Sequence, residues 1–169
     1  MKGGRHMDFA LSEEQQAIYD MARDFGAEHI APFADKWDET AEMPREMLEE
    51  AAKLGLAAIY VPEEQGGSGL TRLDATLIFE ALAISCPSVS SFLSIHNMIA
   101  WMVATFGNET LQDKYLADLC QMKKIGSYCL TEPESGSDAA ALRTKAVRTN
   151  EGYEPRLVGR WQLERSNCR

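Results

Sequence analysis

The chain contains no C-x-x-C pair, and its four cysteines, Cys86, Cys120, Cys129 and Cys168, stand far apart. That spacing argues against a zinc site or a disulfide framework and predicts reduced thiols in an intracellular protein. Each cysteine then reads as a small buried hydrophobe. No uninterrupted run of roughly eighteen apolar residues is present, so no membrane span is expected. Basic residues are in deficit: 17 Lys and Arg face 26 Asp and Glu, a net charge of −9. This balance argues against a broad nucleic-acid surface, while leaving room for a local basic pocket. The segment Met1 to His6 has no apolar core for a signal peptide and is too short for a usual transit peptide, with Met7 as a second candidate start. The glycine-rich Gly66-Gly67-Ser68-Gly69 has no Gly-Lys-Ser/Thr after it, so it reads as a flexible connector rather than a phosphate cradle.

What is present suits an ordinary globular domain of 169 residues, 45% apolar and 25% charged. Helical patterning dominates, and the fold class is mainly α. Ser12-Glu13-Glu14-Gln15 is a capping box, followed by Ile18, Met21, Ala22 and Phe25 at helical spacing. Pro32 should interrupt that helix. Pro44 opens another, with Met47, Leu48, Ala51 and Leu54 on one face and Gly55 as its stop. Ala58 to Pro62 reads as a short extended piece before the glycine loop. Leu70 to Ala83 is helical again, and Ser88 or Ser90 can cap the next helix. That helix, through Phe92, Ile95, Ile99, Met102, Val103 and Phe106, is apolar almost all round and should be buried on several sides. Its His96 reads as a hydrogen-bonded core histidine, with a catalytic or ligand role as the alternative. A more polar helix follows from Asn108 to Leu119.

The stretch Tyr128 to Ala141 departs from this pattern. Tyr128-Cys129-Leu130-Thr131 is strand-like, Pro133 ends it, and Glu134-Ser135-Gly136-Ser137-Asp138 is a small polar turn in which Gly136 can take a positive φ. Such a turn brings backbone amides and hydroxyls to one place, which suits a phosphate-bearing planar cofactor. Cys129, Leu130, Thr131, Glu132, Ser135, Gly136, Ser137 and Asp138 satisfy every fixed position of the first signature of the acyl-CoA dehydrogenase flavoenzymes, and the chain resembles that family. The P-E-x-x-G-G-x-G pattern from Pro62 to Gly69 matches a helix connector of the same family. Ile95-His96-Asn97-Met98 with Ala100-Trp101-Met102 looks most like its short branched-chain members, those acting on isobutyryl-CoA.

The resemblance implies a helical N-terminal domain followed by the first strands of a β-domain. It implies FAD as cofactor, with Tyr128, Cys129, Leu130, Thr131 and Ser137 as flavin contacts and Ser137 also near the CoA moiety. The implied reaction is α,β-dehydrogenation of an acyl-CoA: a glutamate base takes the α-proton and the flavin takes the β-hydride. An electron-transfer flavoprotein then reoxidises the flavin. A homo-oligomer, in a bacterial cytoplasm or a mitochondrial matrix, is implied as well. The family's glutamate lies in a later helical domain, so no catalytic residue is expected here and no metal site. The chain accordingly reads as an N-terminal fragment, inactive alone. A small helical acyl-CoA-binding or dimerisation module without redox chemistry is the competing reading.

The expected division is an extension over residues 1–7, the helical domain over 8–125, the start of the β-domain with the flavin signature over 126–153, and an aberrant or frameshifted tail over 154–169. The tail is inferred because an Asn-Gly-Lys strand is expected after Tyr153, whereas Glu154-Pro155-Arg156 stands there and Pro155 suits a paired strand poorly. Reading the coding DNA in its other two frames should restore the Asn-Gly-Lys strand. If neither frame does so, the frameshift idea fails.

Overall fold

The computed structural model describes residues 10–150 and 152–156. They form two compact units, one ending at Ser127 and the other beginning at Tyr128. The first is a helical bundle of α1 (Glu13–His29), α2 (Ala34–Thr40), α3 (Arg45–Lys53), α4 (Arg72–Ser85), α5 (Pro87–Phe106) and α6 (Glu109–Cys120). The second holds an antiparallel hairpin, β1 (Lys145–Thr149) and β2 (Gly152–Arg156).

Local chemistry accounts for most helix ends. Ser12 accepts from the Gln15 amide and Gln15 accepts from the Ser12 amide, each at 3.1 Å, so both orphan donors are satisfied. The break at Pro32 separates α1 from α2. Thr71 and Asp74 form a second capping box at α4, one the sequence reading overlooked. Asn108 caps α6 by accepting from Leu111. At α5 the expected serine cap is corrected: the helix starts at Pro87, with Cys86 as an N-cap that makes no side-chain bond. Proline needs no partner at that position. Ser90 instead lies inside the helix and donates to Phe79 O of α4 at 2.8 Å.

The stretch 58–62 is also corrected. It forms successive tight turns, with Ala58 N–H on Gly55 O and Val61 N–H on Ala58 O. Ala58, Ile59 and Val61 are buried there, which a lone extended strand could not achieve. The glycine loop folds back on these turns. Ser68, Leu70 and Gly69 amides donate to Ala58, Ile59 and Val61 carbonyls at 2.9–3.0 Å. A Cβ on Gly67 would lie 2.1 Å from Val61 O, so only glycine permits this approach. The loop is a bound wall of the core rather than a flexible connector.

The main core draws on Ala22, Phe25, Leu48, Ile59, Ile78, Leu82, Val89 and Leu93, and a second cluster joins Val61, Ala100 and Ala104 to Leu116 and Leu119. α4 packs on α1 and α5, and α5 packs on α6. α5 is 20 residues long, and by length and composition alone it could cross a membrane. Its buried positions nevertheless include two polar side chains, His96 and Asn97, both without solvent exposure. Asn97 accepts from Ile59 N–H at 2.6 Å and donates to Leu56 O at 2.8 Å and Leu93 O at 2.9 Å. It thereby serves the turns after α3, whose backbone has no helix or sheet to satisfy it. His96 binds Leu119 O through Nε2 at 3.0 Å and accepts the Gly126 N–H at Nδ1, 3.1 Å away. An amide can only donate and a carbonyl only accept, so the ring is neutral with its proton on Nε2. The core-histidine reading therefore holds. α5 is buried on several sides, as expected, while one side, with Ile95 40% and Phe106 71% exposed, stands open among the described residues.

β2 extends past Glu154 to Arg156, pairing Pro155 with Ala146. An edge strand has a free side on which a proline's missing N–H goes unnoticed, which is why this strand tolerates it. The remainder of the expected tail, 157–169, lies outside the described residues.

Removing the Asn97 amide leaves the buried Ile59 N–H and the Leu56 carbonyl short of a partner, while Leu93 O keeps its helical one. Asn97→Ala should cost about 3 kcal/mol in urea or thermal unfolding. A loss below about 1 kcal/mol would show that the turns do not depend on Asn97.

Candidate functional site

The signature residues lie in the second unit, and the structure corrects their local conformation. Tyr128 to Thr131 belong to no strand or helix. Among the described residues, no hydrogen bond involves any of Ser127 to Thr131. Tyr128, Cys129 and Thr131 are exposed and Leu130 is half-buried. Four consecutive residues therefore present amides and carbonyls with no protein partner. A strand pattern needs a second strand to become a ladder, and no neighbouring sequence supplies one here.

Beyond Thr131 the chain is held closely. Glu132 and Ser135 exchange backbone hydrogen bonds at 2.9 and 3.1 Å around Pro133-Glu134. Ser135 is 3% exposed, and its hydroxyl donates to Asp138 O at 2.6 Å. The Glu132 carboxylate accepts the Arg143 amide at 2.8 Å and the Thr144 amide at 2.7 Å. These bonds clip the turn to the residues that enter β1. Hydrogen bonding from Thr144, then from the Arg143 amide, holds the Glu132 carboxyl below the usual carboxylate range. Arg143 also pairs with Glu134 at 2.7 Å on the surface. A short 3₁₀ turn, Ala139–Ala141, completes the loop.

Two residues differ from expectation in detail. Gly136 does not adopt a positive φ, and a Cβ placed there would meet nothing within 4 Å. The turn's reversal is made by the Glu132–Ser135 pair, so no left-handed residue is needed. Ser137 is exposed, on the arm of the turn that follows Ser135, while Thr131 precedes Glu132 on the other. The parts left out of the sequence reading are the clip by Glu132 and the buried hydroxyl of Ser135. Their partners lie at Arg143, Thr144 and Asp138, and only the folded loop reveals those pairings.

This arrangement fits a flavin in its donor chemistry. The pyrimidine edge of such a ring needs amide donors and acceptors that no ladder has consumed, and Tyr128 to Thr131 have them. The hydroxyls of Thr131 and Ser137 are accessible, and the open space over Gly136 places no side chain against a bound group. Glu132 is committed to two amides and makes a poor proton acceptor for a substrate. Among the described residues no cluster of His, Cys, Asp or Glu could hold a metal ion, and Cys86, Cys120 and Cys129 are free thiols.

The chain is similar to known proteins over most of its length. Residues 12–123 match the family model described as acyl-CoA dehydrogenase, N-terminal domain. The chain is 50% identical over 143 residues to the mitochondrial isobutyryl-CoA dehydrogenase of Dictyostelium discoideum, covering 85% of this chain and 34% of that protein. The butyryl-CoA dehydrogenase of Megasphaera elsdenii is 34% identical with a TM-score of 0.74, over 87% of this chain and 40% of that one. The FAD complex of PigA is 33% identical with a TM-score of 0.78, over 87% of this chain and 39% of that one. The chain thus spans about a third of the length of the curated relative it matches.

The Glu132 clip should depend on pH in one direction. Its carboxyl pKa is lowered in the folded chain, so the clip is complete above the ordinary glutamate value and is lost as pH falls through the lowered one. Amide hydrogen exchange at Arg143 and Thr144 should be slow at neutral pH. Measured relative to the intrinsic rate at each pH, protection should be lost in Glu132→Ala at any pH, and in the wild-type chain only in acid. Equal exchange in both chains at neutral pH would remove the clip from the account.

Proposed function

The chain belongs to the acyl-CoA dehydrogenase family, and from that membership we propose that it serves the FAD-dependent α,β-dehydrogenation of a short branched acyl-CoA. The observation carrying this reading is the free segment Tyr128 to Thr131 set directly before a clipped, hydroxyl-bearing turn. The backbone of Tyr128, Cys129 and Leu130 supplies donors and acceptors to the ring edge. Fixed donors where negative charge gathers favour the charged form without having to reorganise. The Thr131 hydroxyl would contact the bound ring, and Ser137 would hold the cofactor or the CoA moiety from the other arm. Bound FAD supplies the hydride-accepting chemistry, which no side chain can provide. The α-proton acceptor is assigned to none of the described residues.

An isobutyryl-sized acyl group is supported by the name of the relative and by the open side of α5, where Ile95 is exposed and Met98, Ile99 and Met102 are half-buried. A wall of that kind accepts a small branched hydrocarbon without polar pairing. An electron-transfer flavoprotein as electron acceptor, a homo-oligomeric assembly and a mitochondrial matrix location complete the proposal. The relative's mitochondrial designation supports the last of these. The same open side of α5 supports the competing reading, an acyl-CoA-binding module without redox chemistry.

Titrating the purified chain with FAD and then with isobutyryl-CoA separates the two. The proposal expects saturable perturbation of flavin absorbance, weakened about fivefold by Thr131→Val or Ser137→Ala, the loss of roughly one hydrogen bond. Acyl-CoA binding without any flavin binding would favour the module. No flavin binding at all would remove Tyr128 to Thr131 from the flavin site of this chain.

A further inference from the structure

The segment before the signature is tied down at successive points, and His96 holds the last of them. Met122 is fully buried at φ 56, a left-handed conformation that costs a methionine energy. Arg45 of α3 holds that turn by donating to Met122 O at 2.9 Å and to Lys123 O. Lys124 donates its amide to Asp118 O at 3.1 Å and pairs with the Asp118 carboxylate at 2.7 Å. Gly126 then donates to His96 Nδ1, and a Cβ at Gly126 would lie 2.5 Å from Ile99 Cγ2. The next hydrogen-bonded residue along the chain is Glu132. Between them run the five residues 127–131, which no hydrogen bond restrains.

We propose that His96 is a positioning residue: as the neutral Nε2–H tautomer it bridges Leu119 O and the Gly126 amide, and so sets the point from which Tyr128 to Thr131 depart. Its importance for a flavin rests on the reading of that segment given above, but the bridge itself does not. Glycine at 126 lets the backbone come close enough to α5 for the ring to reach it, and Leu119 O selects the tautomer that leaves Nδ1 free to accept. Neither contact alone would do both. The strained Met122 turn supports this, because it delivers the chain from the end of α6 back to α5 within a few residues.

The contact has a pH limit. Burial, opposed by the Leu119 carbonyl, keeps the His96 pKa below its ordinary value. Among the described residues no charged group acts on the ring: Lys124 is paired with Asp118, and Cys120 at the end of α6 is kept neutral because burial raises its pKa. Protonation would put a hydrogen on Nδ1, against the Gly126 N–H. The bridge is therefore complete above the ordinary histidine value and fails as pH falls toward the lowered one.

Two substitutions in the full 169-residue chain divide the ring's functions. In His96→Asn the side-chain oxygen stands where Nδ1 does and can still accept from Gly126. In His96→Gln the amide reaches Leu119 as Nε2 does, but nothing accepts from Gly126. Gly126 amide exchange should stay within about threefold of wild type in His96→Asn and quicken about tenfold or more in His96→Gln. Protease cleavage within 127–131 should rise in His96→Gln alone. Equal exchange and cleavage in the two variants would overturn the proposal, since a purely structural histidine would not distinguish them. Should both variants fail to fold, nitrogen NMR of the wild-type imidazole decides. Protonated Nε2, with Gly126 protection lost on the same pH curve as ring protonation, supports the bridge, and protonated Nδ1 at neutral pH refutes it. FAD appears in none of these measurements, so failure of the flavin reading would show separately in the titration.

Discussion

The helical unit depends on two adjacent polar side chains buried in the middle of its most apolar helix. His96 and Asn97 sit on α5 where neighbouring positions are Leu93 and Ala100, and neither has solvent exposure. An unpaired polar group there would cost about 1–3 kcal/mol, so each survives only because its hydrogen-bonding capacity is met. Asn97 meets it with the irregular turns between α3 and α4, and His96 with the end of α6 and the segment that follows. One helix thus carries the backbone that regular structure leaves unserved. Its burial and its polarity are consequences of one requirement.

The signature turn solves a related problem differently. It needs a rigid base beside a stretch left free for a ligand. Glu132 provides the base with a carboxylate that accepts two backbone amides, a stronger arrangement than neutral acceptors give. Ser135 adds a buried hydroxyl bond to Asp138 O. These two signature residues therefore build the loop, while Thr131 and Ser137 on either side remain open. The division explains why a motif of this kind requires an acid and a small hydroxyl residue at positions that need not touch a cofactor.

The helices were legible in the sequence wherever a local rule decides. The Ser12 capping box, the interruption at Pro32 and the start after Pro44 involve partners within four residues. Most failures involve partners farther away, the overlooked Thr71–Asp74 box and the Glu132–Ser135 pair being the local exceptions. Ser90 looked like a cap but bonds Phe79 on the preceding helix. The glycine loop looked mobile but is bound to the turns at Ala58 to Val61. Tyr128 to Thr131 had the composition of a strand, yet no ladder partner stands beside it. Gly136 was expected to make the reversal that the Glu132–Ser135 pair makes instead.

Family membership was carried by the signature, because it is a contiguous pattern whose order is preserved whatever the chain does in space. The helical class followed from apolar spacing for the same reason. Which side of α5 would stand open, which tautomer His96 would hold and which amides Glu132 would accept were decided by tertiary structure alone. Those properties depend on groups 11 to 41 residues apart meeting at hydrogen-bond distance, and no local rule encodes that meeting.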